Sequence, residues 1–553
     1  MTRRTSGFVS HGGSVTLDRR GFVTRVTRFG AAGLAAGLFP AVPTLSDDWA
    51  RYARADALVE TSSGTVRGLV SEGVNVFKGV PYGAPTGGVN RFMPPLVSET
   101  WAGIRDVFEY GPNAPQGAAA AGSEDCLVLN VWSPGLGDGG DRPVMVWLHG
   151  GGFSSLSGSS PTYDGTNLCL GGDVVVVTIN HRLNVFGSNY LAESLGSDFA
   201  YSGCVGMLDI VASLEWVRDN IEGFGGDPGN VTVFGESGGG RKVSVLLAMP
   251  TARGLFHQAI IESGAVLKVT SRVDGDRLAS RLLDQLGLSN ARAREIQAIP
   301  APQLMGAYQA ALRGFEPRDP IIGTVPGTPV LDGVAIPHHP FDPLATPASA
   351  EVPVIVGYNR TEETFVYLNR EMELDLDESG LRRRVEERLG TTVEPSRVID
   401  AYRKAHPNAR PWDLYILIAT DHPRGMFARE LAKRKSHLRR APAYLYRFDF
   451  DLGGELGTPH AVEIPFVFDN IERAGTRFSA LHGNPQAHAL AAKMSAAWMA
   501  FARYGDPSTP DLPPWPRYST RLRGTMLFND VSRVESDPDR RPRLIMEEVL
   551  DLL

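Results

Sequence analysis

Apolar residues fall along this chain in short, dense runs separated by turn residues. Leu127 to Trp132, Pro143 to Leu148, Val174 to Ile179 and Val231 to Phe234 are each of strand length and almost wholly apolar. Such runs predict strands buried on both faces rather than the alternating strands of a half-exposed sheet. Ile260-Ile261, Val352 to Val356 and Ala443 to Phe448 continue the series. Between the third and fourth runs, Val205 to Ile221 places Leu208, Val211, Ala212, Leu214, Glu215, Trp216 and Val217 as a packed helix would. Strands alternating with helices imply an α/β fold, a mainly parallel sheet flanked by helices. Ahead of it, Leu58 to Val70 and Asn75 to Val80 read as a small leading hairpin or sheet.

From about 269 to 350, and again from about 365 to 440, the pattern turns helical and rich in charge. Leu381, Val385 and Leu389 recur at helical spacing amid Arg382, Arg383, Glu386 and Glu387, an amphipathic surface helix. These insertions are expected to cover the C-terminal edge of the sheet, where sites lie in such folds. Residues 58–553 are otherwise expected to form one domain.

The start of the chain differs in kind. Leu17-Asp18-Arg19-Arg20-Gly21-Phe22-Val23, followed by Arg25, Arg28 and an uncharged stretch from Phe29 to Leu45, resembles a twin-arginine export signal over residues 1–45. The pattern leaves its cleavage point open, up to about 57 near Ala55-Asp56-Ala57, and the expectation is an exported protein, with a basic tail on a cytoplasmic protein as the alternative. The apolar stretch is short of the ~20 residues of a membrane span. A net charge of −7, from 55 basic and 62 acidic residues, gives no basic footprint for nucleic acid. Three cysteines, Cys126, Cys169 and Cys204, cannot all pair within one chain, so no disulfide framework is expected. No Cys-x-x-Cys or His/Cys spacing suggests a metal, and no cofactor is expected.

Two motifs carry chemistry. Gly235-Glu236-Ser237-Gly238-Gly239 closes the run Val231 to Phe234 and opens onto small residues that can begin a helix, the setting of a nucleophile elbow. A serine hydroxyl is a poor nucleophile at neutral pH, and a sharp turn presents it to a histidine that can take its proton. Upstream, Val144 to Leu148 runs into His149-Gly150-Gly151-Gly152-Phe153. A glycine triplet leaves backbone N–H groups unshielded, and the N–H groups of Gly151, Gly152 and Gly238 are the expected oxyanion donors. No Lys-Ser/Thr follows the triplet as a phosphate loop would require.

With both motifs in place, the chain resembles the type-B carboxylesterase family, the cholinesterase-like branch of the α/β-hydrolases, over nearly everything after the leader. The likeness lies in Phe77-Lys78-Gly79-Val80-Pro81-Tyr82, Arg91-Phe92, Ser123 to Leu127, Asn180-His181-Arg182-Leu183 and the long run Phe224 to Ser237. Met494 to Trp498 and Gly505-Asp506-Pro507 carry it further. In that family the order is serine, acid, histidine. The resemblance implies Glu362, in Gly357-Tyr358-Asn359-Arg360-Thr361-Glu362-Glu363, as the acid, with Glu363 the alternative. It implies His460, in Gly457-Thr458-Pro459-His460-Ala461-Val462-Glu463-Ile464-Pro465, as the base. Ser263 and Glu236 are expected to support the triad from behind.

Departures from the family narrow the expectation. Thr361 stands where an aspartate is common. Ala114 stands where a cysteine that pairs with Cys126 is frequent, which implies a free, buried Cys126 thiol. The short stretch between Gln116 and Ser123 lacks the loop that holds choline in cholinesterases, so a quaternary-ammonium substrate is not expected. Gly238 replaces a usual alanine, and Arg241-Lys242 replace small residues. The expected function is serine-dependent hydrolysis of small-molecule carboxylic esters, with lactones as a further option; the alternatives are a lipase or amidase of the same family and a catalytically silent adhesion member of the same fold.

Overall fold

The computed structural model describes residues 54–318, 327–367, 374–390 and 393–552. The twin-arginine-like leader lies outside them. Thirteen strands form one sheet: β1 Arg54–Thr61, β2 Gly64–Ser71, β3 Val74–Pro81, β4 Ile104–Asp106, β5 Val128–Ser133, β6 Arg142–Leu148, β7 Val175–Ile179, β8 Gly226–Glu236, β9 Gln258–Glu262, β10 Val354–Asn359, β11 Ala443–Phe448, β12 Gly524–Phe528 and β13 Arg533–Ser536. Their order is β1-β2-β3-β5-β7-β6-β8-β9-β10-β11-β12-β13, with β4 added beside β2. From β7 to β12 every pairing is parallel. The leading strands are not a separate hairpin: β3 pairs with β5, Phe77 opposite Val131, and joins β1 and β2 to the main sheet.

Why the apolar runs form these strands is visible in the pleat. Val144, Val146 and Leu148 enter one core, while Met145 and Trp147 enter the core on the opposite face. Val175 and Val177 divide from Val176 in the same way, as do Val354 and Val356 from Ile355. Both faces must therefore be apolar, which erases alternation from the sequence. Helix Val205–Asn220 covers the first face, and helix Pro485–Tyr504 covers the second with Met494, Trp498 and Phe501.

The region 269–350 departs from its helical expectation. Helices Arg272–Gln285 and Ala301–Leu312 are present and pack Leu278, Leu282, Leu304 and Tyr308 against Phe92, Phe186 and Phe199 in a third core. Between 313 and 346 the described residues contain no helix. Pro329, Pro337, Pro340 and Pro343 interrupt any helical run there. Across 365–440, helices Glu378–Leu389, Pro395–Ala405, Pro411–Thr420 and Met426–His437 do form. Leu381, Val385, Val398, Trp412 and Met426 lie in the same core as the sheet's first face. This segment is thus welded to the sheet rather than laid over its edge alone.

Two polar motifs are structural. Arg182 forms a buried, forked pair with Asp209 on helix Val205–Asn220, 2.6 Å at its shortest. Arg91 pairs with Glu124 at 2.5 Å and also donates to the carbonyl of Ile299, which anchors the third core. All three cysteines are free and buried.

Candidate active site

Strand β8 ends at Glu236 and a helix, Gly238–Leu246, begins two residues later. Ser237 between them takes φ 55° and ψ −115°, a conformation that L-residues avoid and that surrounding contacts must hold. Its N–H donates to the carbonyl of Glu262 on β9 at 2.8 Å. The flanking glycines follow from crowding against β6: a Cβ on Gly239 would lie 1.8 Å from the Leu148 oxygen, and one on Gly235 2.5 Å from it.

His460 lies in the loop after β11 and Glu362 opens a 3-10 turn, Glu362–Tyr367, after β10. The three side chains meet beyond the C-terminal ends of parallel strands, as open α/β sheets dispose their sites. His460 Nε2 is 2.8 Å from Ser237 Oγ, and its Nδ1 is 2.5 Å from Glu362 Oε2. The backbone N–H of Asn359 donates to Glu362 Oε1 at 2.7 Å and fixes the carboxylate. Burial opposes ionisation of Glu362. The charge and hydrogen bond of His460, the charge of Arg424 and the Asn359 N–H nonetheless hold its pKa below the ordinary value. The imidazole of His460 is also held below its ordinary pKa of 6.5, first by burial and then by Arg424, against the raising effect of Glu362. It is therefore neutral, and able to accept a proton, at pH 7.

Glu363 goes elsewhere. It accepts from Arg424 at 2.9 Å and Arg388 at 3.3 Å, and makes no hydrogen bond to His460. Ser263 Oγ donates to Glu463 Oε1 at 2.6 Å, and Asn359 Nδ2 donates to the other oxygen of Glu463. Asn359 also donates to the carbonyl of Pro459, next to His460, at 2.9 Å. Ser263 thus reaches the Glu362–His460–Ser237 line through Glu463 and Asn359. Glu236 Oε1 lies 3.2 Å from His460 Nε2. Burial, then the neighbouring charges of Glu463 and Glu362, raise the Glu236 carboxyl well above its usual range. Burial and Glu362 likewise push Glu463 up to about 7.

The glycine loop after β6 packs against the elbow. A Cβ on Gly238 would lie 2.2 Å from the oxygen and 2.4 Å from the nitrogen of Gly152. Gly151 and Gly152 take φ 78° and 64°, open to glycine and strained for other residues. The Gly151 carbonyl accepts from the N–H groups of Ser154 and Ser155 at 3.2 and 3.1 Å, which closes the loop on itself. Beneath it, fully buried Lys242 donates from Nζ to the His149 carbonyl at 2.8 Å. Burial, then the charge of Arg241, lowers its pKa to about 7.

Sequence reasoning did not single out Glu463, Asn359, Arg424 or Phe365, whose ring stands edge-on to His460 at 5.4 Å between centroids. Glu463 had a signal in its place three residues after His460. Phe365 likewise stands three residues after Glu362, in the turn that Glu362 opens. Arg424 had no signal, because it arrives from a segment whose position only the fold determines.

A mostly parallel, helix-flanked sheet with a strained serine at the end of its middle strand defines an α/β-hydrolase. A sequence model of the carboxylesterase family matches residues 55–541. The chain belongs to the carboxylesterase family and is a carboxylic ester hydrolase. It is 35% identical to the para-nitrobenzyl esterase of Bacillus subtilis (strain 168), over 88% of this chain and 97% of that protein. It is 35% identical to the fumonisin B1 esterase of Sphingopyxis macrogoltabida, over 83% of this chain and 84% of that protein. The crystal structure of a Geobacillus stearothermophilus carboxylesterase at pH 6.2 matches with TM-score 0.78 and 38% identity, covering 89% of this chain and 99% of that one.

Proposed function

We propose that this enzyme hydrolyses small-molecule carboxylic esters, lactones included, through an acyl-enzyme. Ser237 Oγ attacks the carbonyl carbon while His460 Nε2 takes its proton. Glu362 holds the ring in one tautomer and stabilises its charged form. The tetrahedral oxyanion is received by the N–H groups of Gly151, Gly152 and Gly238; the first N–H groups of a helix have no partner within it, and Gly238 opens one. Each such donor is worth roughly 3–4 kcal/mol at the transition state. His460 then protonates the departing alkoxide, the C–O bond breaks, and water activated by the same imidazole releases the acid.

The observation that supports this reading is the continuous line Glu362–His460–Ser237, with contacts of 2.5 and 2.8 Å and a neutral imidazole in the middle. Ser237→Ala should abolish turnover of para-nitrophenyl butyrate, and an organophosphate should label Ser237 in the parent; retained turnover in the variant overturns the assignment. Export through the twin-arginine-like leader is part of the same proposal. Replacing Arg19-Arg20 with Lys-Lys should keep the activity inside the producing cell.

A further inference from the structure

Three side-chain amides join the loop that follows β6 to the segment 112–116. Asn180 and Asn184 come from the turn after β7, the strand beside β6, so they stand at the same edge of the sheet as the glycine triplet. Asn180 Nδ2 donates to the Pro112 carbonyl at 3.0 Å, and its Oδ1 accepts from the Gly158 N–H at 2.8 Å. Asn184 Nδ2 donates to the carbonyls of Pro115 at 3.1 Å and Ser154 at 2.9 Å, and the Asn184 N–H donates to the Phe153 carbonyl at 2.8 Å. Gln116 Nε2 donates to the carbonyls of Ala114 and Leu156, both at 3.2 Å, and its Oε1 accepts from the Leu156 N–H at 2.8 Å.

Among the described residues no backbone hydrogen bond joins the two segments directly. Pro112 and Pro115 have no N–H to offer, so the amides supply the donors that a strand ladder would otherwise bring. The held loop is strained: Leu156 takes φ 72°, which a side chain as large as leucine resists, and Gln116 bonds both its N–H and its carbonyl. Gly151 and Gly152 have no side chains by which to be fixed. The Gly151 carbonyl accepts from the N–H groups of Ser154 and Ser155, so the place of those residues sets the direction of the glycine N–H groups.

We propose that Gln116 and Asn184 are positioning residues for ester hydrolysis, holding the Gly151 and Gly152 N–H groups where the oxyanion forms. The inference rests on the oxyanion reading above. A loosened set of donors costs little in substrate binding and more in the transition state, where the negative charge has developed.

Asn184→Gly tests this without straining the fold, because Asn184 takes φ 55° and glycine adopts that conformation freely. Its melting temperature should stay near that of the parent, while kcat for para-nitrophenyl butyrate falls on the order of tenfold with KM little changed. Gln116→Met should show the same split; if it fails to fold, Asn184→Gly decides alone. The readout that a merely structural role leaves alone is the affinity for phenethyl trifluoromethyl ketone. Ser237 Oγ adds to its carbonyl carbon, the serine proton passes to His460, and the alkoxide so formed lies against the N–H donors. Phenethyl methyl ketone, whose carbonyl is less electrophilic, binds without adding. The trifluoromethyl ketone should weaken about tenfold in both variants and the methyl ketone should not. Unchanged kcat and trifluoromethyl ketone affinity in both variants, or equal weakening of both ketones, overturn the proposal. Gly238→Ala serves as the reference. If it alone lowers kcat and the trifluoromethyl ketone affinity, the positioning claim falls and the oxyanion reading stands. If it too leaves both unchanged, the oxyanion reading falls first.

Discussion

Lys242 Nζ and the carbonyl oxygen of His149 stand 2.8 Å apart, which ties the helix that follows Ser237 to the loop that carries Gly151 and Gly152. Among the described residues no carboxylate pairs with this lysine, so its burial is not a stabilising ion pair. Lys242→Met should lower kcat for para-nitrophenyl butyrate by about tenfold, or ~1.4 kcal/mol, with KM little changed, because loosened donors are felt mainly in the transition state. Thermal melting should hold or rise. An unaltered kcat would show that the loop keeps its place without the bond.

In the mechanism proposed above, the acid limb of kcat/KM reports His460 in the free enzyme. Burial and the charge of Arg424 hold its pKa below 6.5, so the midpoint of that limb should lie on the acid side of pH 6.5. Glu362→Gln removes the charge that raises His460, so the limb should move further toward acid. The plateau should drop on the order of 10⁴-fold, as when the triad acid is neutralised in serine proteases. Glu363→Gln should leave the plateau near that of the parent, since Glu363 bonds Arg388 and Arg424 rather than the imidazole, and should move the limb only toward acid, because the Glu363 charge also raises His460. A pH–rate series on the three proteins decides this.

Adding a methyl group at the elbow has two different expected results. In Gly239→Ala the new Cβ meets the Leu148 oxygen of central strand β6 at 1.8 Å, and β6 has nowhere to go. Stability should fall by roughly 1–3 kcal/mol or more in denaturant melts. In Gly238→Ala the obstacle is the Gly152 backbone at 2.2–2.6 Å, in a loop that can shift. There kcat should fall while the melt stays near that of the parent.

Glu463 links pH to stability. Its pKa is about 7 in the fold against an ordinary 4.5, so the folded chain holds a proton that the unfolded chain has released. Its contribution to stability is therefore complete below pH 4.5 and is lost as pH rises to about 7. Glu463→Gln should flatten the decline in melting temperature over that window. It should also lower kcat, because one amide end must face either Ser263 or Asn359 with hydrogens where an oxygen accepted. An equal slope in both proteins would falsify the assignment of this group.

How much could be read from residues alone depended on whether a signal was local. The strands of the parallel sheet were legible because both of their faces are buried, so the runs at Val144 and Val174 carry no polar interruption. Ser237 and the glycine loop were legible because an elbow needs glycine at fixed spacing. Strand β8 was read too short: it begins at Gly226, within Gly226-Asp227-Pro228-Gly229-Asn230, which spells a turn. The pairing of Arg142 with Gly226, past an irregularity before Val144, draws that segment into the ladder. The links through Glu463 and Asn359 join residues 104 positions apart, and no local pattern encodes such a contact.

The hydrogen bond from Ser237 to His460 spans 223 positions, and the serine keeps its strained turn only while β6, β8 and β9 surround it. Reactivity at this hydroxyl is thus a property of the finished tertiary structure and of no fragment. A chain truncated before His460 would carry an ordinary serine. The fraction of molecules that an organophosphate can label therefore counts correctly assembled molecules one by one, and the enzyme's own chemistry serves as the assay of its folding.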